Sequence, residues 1–271
     1  MGQPPNDPTS LIHAPTVVLY IIVWECMNRV VVLALRACCQ RPGFLLKGAD
    51  GNKLKQQGPS YIMSFFHACI VTVRGCYSVA TLLQAPLEAQ MAIPSDPAHP
   101  WFDHTMGTTN HLFFSYLIYD LAHVVWQYPS IGGLDTIAHH CGFIFASLVC
   151  ATYRLFPLAF GWLMMGELST IPLDIRFVLI ATGRGDTLAL KVAQILFALF
   201  FLLSRVVLYG LGLAHLWYHR ASIGVGTVAP AVPQHVAYGV LALIATGYGL
   251  NLMWLRGIIR VVTSGPPKPK A

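Results

Sequence analysis

The sequence predicts an all-α, polytopic transmembrane helix bundle with about seven spans. Three observations carry that prediction. The 271 residues are 55% hydrophobic and only 10% charged, with a mean hydropathy of +0.60, whereas soluble domains carry roughly a quarter charged residues. The apolar residues form continuous runs rather than alternating ones, which excludes a β-barrel. The Lys and Arg residues behind the net charge of +6 sit near the ends of those runs. That scatter suits topology and lipid headgroups, so no nucleic-acid partner is expected. The seven Cys show no CxxC spacing and fall mostly inside apolar runs; neither a disulfide framework nor a zinc site follows, and no cofactor is implied.

The N-terminal tail, MGQPPNDPTSLIHAP, is polar and Pro-rich, without the pattern of a cleavable targeting peptide. The first span covers residues 16–35. Glu25 and Arg29 stand one helical turn apart in it, spaced to brace each other. Cys38 and Cys39 lie between Arg36 and Arg41 as a juxtamembrane acylation candidate. Residues 40–59 carry Arg41, Lys47, Lys53 and Lys55 against Asp50 alone, which places this loop inside and the N-terminus outside. The second span, residues 61–83, holds His67 and Arg74 on one face, expected to point inward. An acidic, Pro-broken stretch over residues 84–107 reads as an outer loop, with His99 and His104 solvated.

The third span, residues 108–126, carries Asp120 and His123, three apart and neighbours on the helix surface. A Tyr128-Pro129-Ser130-Ile131-Gly132-Gly133 turn leads to Asp135, expected as the helix N-cap. The fourth span, residues 136–153, opens with His139-His140. His139 stands over Asp135, whose carboxylate is placed to orient its ring. A short fifth run, residues 158–165, ends at Glu167 and is expected to break at Pro172. Arg176 and Arg184 follow in an inner loop. The sixth span, residues 188–213, buries Arg205 mid-helix, and His215 and His219 lie at its outer end. The seventh spans residues 236–254, where Ala245 and Gly249 offer a small-residue face for close contact.

Ionisable groups inside hydrocarbon are costly and face a protein interior or cavity with partners. Asp120, His123, His139, His140, Glu167 and Arg205 are therefore expected around one enclosed polar site. The bland reading is a structural network in which each imidazole hydrogen-bonds a neighbouring helix.

These residues resemble the TLC domain, the module shared by ceramide synthases and other eukaryotic membrane proteins. The likeness runs over residues 61–255 and rests on Asp120, then YPSIGGLDTIAHH, ELSTIPLDIR and Arg205. It is nearest to TLC proteins outside the ceramide synthases, whose pattern is Asp, a Pro-Gly turn, His-His, then Glu-x-Ser-Thr-Pro-x-x-Asn-x-Arg. Asp120, Gly132, His139, His140, Glu167, Ser169, Thr170 and Arg176 match it. Pro172 stands one place late, and Asp174 replaces the Asn. The resemblance implies a six-helix core and divides the chain into a tail (1–14), a first helix with basic loop (15–59), a TLC-like domain (60–258) and a basic tail (259–271).

For function, the resemblance implies an endoplasmic-reticulum or other endomembrane protein of lipid homeostasis, with mitochondrial and plasma membranes left open. Ceramide synthases pair the tandem His with a later His-Asp set in acyl transfer; here that later position reads Gly166-Glu167-Leu168-Ser169-Thr170, and the second His is gone. Two readings stay open. One is an acyl-lipid cavity with His139, His140, Asp120 and Glu167 at its polar end, supported by His123, Asp135, Arg176 and Arg205, where a neutral imidazole serves as base or nucleophile. The other is a non-catalytic accessory subunit or cargo receptor, whose partners are other membrane subunits. Di-iron chemistry needs further His clusters, and no Gly-rich phosphate cradle or Ser elbow is present.

Overall fold

Long apolar runs without internal breakers fold as helices because every backbone polar group must be satisfied within the segment. The computed structural model describes residues 12–91, 100–222 and 233–264, with side chains outside 100–104, 222 and 261–264. His99 and the His104 side chain lie outside the described residues. The helices are α1 (Ala14–Gln40), α2 (Gly51–Leu82), α3 (Leu87–Met91), α4 (Pro100–Trp126), α5 (Leu134–Tyr153), α6 (Pro157–Met165), α7 (Thr170–Ala181), α8 (Leu188–Phe200), α9 (Tyr209–Tyr218) and α10 (Gln234–Ser264). A 3₁₀ turn, Gly166–Ser169, joins α6 to α7, and a π-helical segment, Phe201–Leu208, joins α8 to α9. No β-strand occurs among the described residues. The chain is an all-α bundle of membrane helices, and among the described residues five helices are long and apolar enough to cross a bilayer: α1, α2, α5, α8 with α9, and α10.

Capping chemistry sets several boundaries. Asp50 caps α2 by accepting from the Lys53 amide at 2.8 Å, and Thr187 caps α8 by accepting from the Leu190 amide at 3.3 Å. The expected cap at Asp135 is displaced: Gly133 is the N-cap, and Asp135 sits in the first turn, where its charge still meets the positive helix end. Pro172 does not end the fifth helix. It lies in the first turn of α7, where a missing N–H costs little, and the chain continues helically to Ala181. Arg176 is consequently a helix residue rather than a loop one.

The rods α1, α2, α4, α5, α6–α7, α8–α9 and α10 alternate in direction. Gln57 near the start of α2 donates to the Ser130 carbonyl in the α4–α5 turn at 2.6 Å. At the same end, Arg184 after α7 donates to the Phe44 carbonyl at 3.1 Å, and the Leu46 and Asp50 amides bond Thr182 and Ala181. This end, which gathers Arg41, Lys47 and Arg184, is called the basic end below. At the opposite end, the Phe156 amide bonds the Met91 carbonyl at 2.7 Å, seating the α5–α6 corner on α3.

Helices α2 and α6 approach closely. A Cβ on Gly75 would lie 2.8 Å from the Gly161 carbonyl oxygen, and one on Gly161 would lie 2.9 Å from Val79; small residues let backbones meet this way in membranes. The expected Ala245–Gly249 contact is not made, because that face points outward and a Cβ on Gly249 would meet nothing. At the opposite end, Ala237, Val240, Leu241 and Ile244 of α10 pack with Tyr209, Leu216, Phe156 and Ala159. That cluster closes the bundle at one end only.

Candidate functional site

Toward the basic end, where α10 no longer packs into that cluster, the helices leave a cavity of about 1030 Å³. Its polar wall holds Asp120 (α4), His139 and His140 (α5), Glu167 and Ser169 (3₁₀ turn), and Arg205 (π segment). The apolar wall includes Phe113, Leu117, Phe143, Phe197, Phe201 and Trp254. Gln194, Met253 and Gly257 also line it and are exposed, so it opens between α8 and α10.

Each polar side chain is placed by a local feature of its helix. His140 is held at both ring nitrogens: Nε2 lies 2.9 Å from Asp120 Oδ2, and Nδ1 lies 2.9 Å from the Thr136 carbonyl oxygen. A carbonyl only accepts, so Nδ1 carries a hydrogen, and one further proton lies between Nε2 and the carboxylate. Asp120 also stands 3.5 Å from the Tyr116 hydroxyl. His139, about 100° further round the helix, has no hydrogen-bond partner among the described residues. Its ring packs against Phe143 at 4.6 Å and Trp254 at 5.7 Å between centroids.

The sequence-based pairing is thus exchanged. The carboxylate partner belongs to His140 and comes from α4, while Asp135 is exposed and, among the described residues, forms no hydrogen bond or ion pair with His139. His123 also turns away: its Nε2 lies 3.1 Å from Glu25 on α1, and Glu25 is bonded in turn to Arg29 as the spacing predicts. Neither His123 nor Asp135 lines the cavity.

Arg205 faces inward and is bound three times by one short motif. It donates to Glu167 Oε1 at 3.0 Å, to Ser169 Oγ at 3.0 Å and to Thr170 Oγ1 at 3.3 Å. Thr170 donates to the second Glu167 oxygen at 2.7 Å. The 3₁₀ turn makes this convergence feasible, because three residues per turn bring positions 167 and 170 onto one side. The widened π turn presents Arg205 to them, and the Ser204 hydroxyl turns back to the Phe200 carbonyl at 2.7 Å.

His67 belongs to the cavity wall too, although the sequence indicated only that it points inward. It is buried, stacks on Tyr116 at 3.7 Å and 9°, and its Nε2 has no hydrogen-bond partner. Arg74, one turn pair onward on α2, is used elsewhere, donating to the Thr109 hydroxyl at 2.7 Å and the Thr105 carbonyl at 3.2 Å. Asp174 is 3% exposed beside Ser64, and its Oδ2 has no partner. His215 lies at the far end of α9, edge-on to Trp162 at 5.9 Å. No group of three or more metal-ligating side chains occurs among the described residues.

Against known families, residues 59–260 match the TLC domain. That stretch begins in α2 and ends in α10, so it takes in every helix lining the cavity and leaves α1 outside. Among curated proteins, the sequence has no significant match. Matched over most of its length, this chain belongs to the TLC-domain family of membrane proteins.

Proposed function

We propose that this protein holds an acyl lipid in its intramembrane cavity and acts in membrane lipid homeostasis, with His139 moving a proton during acyl transfer. The supporting observation is one continuous space of about 1030 Å³ that joins an aromatic-lined apolar wall to a cluster of ionisable groups. Its volume lies at the upper end of the roughly 300–1,000 Å³ of small-ligand sites. An opening between two helices suits a ligand that arrives from the bilayer.

Within that reading the two histidines differ in role. His140 is saturated by Asp120 and Thr136, so it supplies a fixed, proton-sharing pair. His139 has no hydrogen-bond partner among the described residues and lines the cavity. It can accept a proton from an amine or hydroxyl nucleophile as that atom attacks an acyl carbonyl. It then returns the proton to the leaving group as the old acyl bond breaks.

One observation favours the second reading, a non-catalytic accessory subunit: Glu167 and Arg205 are already satisfied by each other and by Ser169 and Thr170. Lipid profiling of cells carrying His139→Ala at matched protein level separates the two. The proposal predicts a changed acyl-lipid profile with normal folding. An unchanged profile leaves the accessory-subunit reading standing.

A further inference from the structure

The cavity's charges do not cancel, and the remainder points to the kind of lipid it takes. Asp120 is matched by His140 and Glu167 by Arg205. The carboxylates facing the space are therefore already neutralised by partners on the protein. Arg176 also lines the cavity, half-buried, and has no hydrogen-bond or ion-pair acceptor among the described residues. The other half-buried arginines are treated differently. Arg74, Arg184 and Arg205 each donate to a carbonyl, a hydroxyl or a carboxylate.

Position sharpens the contrast. Arg176 follows Glu167 by nine residues along the same rod, about 13 Å nearer the basic end at 1.5 Å per residue. Its neighbour Phe177 stacks on Tyr61 at 3.7 Å, which fixes α7 against α2 there. Asp174, two residues earlier, is about 200° round the helix and buried away from the cavity. The lining of the same cavity includes Gln194 and Gly257, which are exposed. A half-buried guanidinium without an acceptor is costly, and its planar fork matches a phosphate or carboxylate in two-point fashion.

We propose that the lipid bound in this cavity carries an anionic headgroup, phosphate or carboxylate, held by Arg176 at the mouth while its acyl chain runs inward along the aromatic wall. The inference rests on the acyl-lipid reading above and adds the charge of the ligand to it. Arg205 is the weaker candidate for recognition, because its charge is paired with Glu167 and its Nε and Nη2 donors go to Ser169, Glu167 and Thr170.

The test is direct binding to the full chain in neutral detergent with three probes of equal chain length: oleoyl lysophosphatidate, oleate and monoolein. The wild-type protein binds the two anionic lipids at least about tenfold more tightly than monoolein. Arg176→Gln loses that preference and keeps its monoolein affinity, which also shows that the variant is folded; Arg176→Lys retains part of the preference. Millimolar inorganic phosphate does not displace lysophosphatidate, since the chain contributes most of the binding. Equal affinity for all three probes in the wild type overturns the anionic-headgroup proposal while leaving the lipid cavity standing. Displacement by phosphate alone, or a preference unchanged in Arg176→Gln, also overturns it. Binding of none of the probes overturns the lipid-cavity reading itself.

Discussion

Arg205 and Glu167 form an ion pair in the bundle interior, with side-chain exposures of 14% and 21%, and Ser169 and Thr170 bond to it. Removing one member of a buried ion pair leaves an uncompensated charge, a loss of about 3–5 kcal/mol. Arg205→Met is therefore expected to lower thermal stability in detergent sharply. The double variant Glu167→Gln/Arg205→Met recovers much of the loss, because no charge is then left unpaired. A double variant no better than Arg205→Met would show that the pair is not coupled. The type of these residues was legible: a charge inside an apolar run has to face inward. Their partners were not. The i, i+4 rule joins His139 to Asp135, because it knows only one helix. The approach of α4 brings Asp120 to His140 instead. The same blindness to helix packing assigned His123 to the site, although α1 supplies its partner, Glu25.

At the scale of the element, apolar runs gave the helices, yet two transitions between helix types escaped them. The 3₁₀ turn at Gly166–Ser169 and the π segment at Phe201–Leu208 carry Glu167, Ser169 and Arg205 of the polar wall. Both are helical in composition, so hydrophobic periodicity cannot separate them from an ordinary α-helix. Glycine roles were likewise set by partners rather than by spacing. Gly161 meets α2 so closely that a side chain must displace Val79, whereas Gly249 faces open space. Gly161→Leu is expected to abolish the folded, monodisperse species on size-exclusion chromatography. Gly249→Leu is expected to leave it unchanged. Similar profiles for the two variants would contradict a close-packed α2–α6 contact.

For the whole molecule, the asymmetry of packing matters more than any single bond. Apolar side chains close the α10 side at the end opposite the basic loops, and the polar wall lies where that packing stops. Exposed Val18, Leu19, Ile22, Val30 and Leu33 give α1 an apolar outer face interrupted by exposed Arg29, suited to lipid or to another membrane helix. It packs against α2 and α4, outside the cavity lining. The cavity itself was inferred from the sequence only as a need for ionisable groups to be enclosed. Its volume and its opening between α8 and α10 depend on how far the rods diverge, which no single run encodes.

Ala198 lines the cavity from α8, between Gln194 at the opening and Arg205 within. A tryptophan there would take up part of the space while leaving the residues of the Asp120–His140 and Glu167–Arg205 pairs unsubstituted. The decisive measurement is native mass spectrometry of the intact protein purified in mild detergent, comparing the wild type with Ala198→Trp. A cavity that holds lipid predicts a bound acyl lipid on the wild-type protein, lost in an Ala198→Trp variant that remains folded and monodisperse. A wild-type protein that carries no lipid, or an Ala198→Trp variant that carries as much, would contradict it.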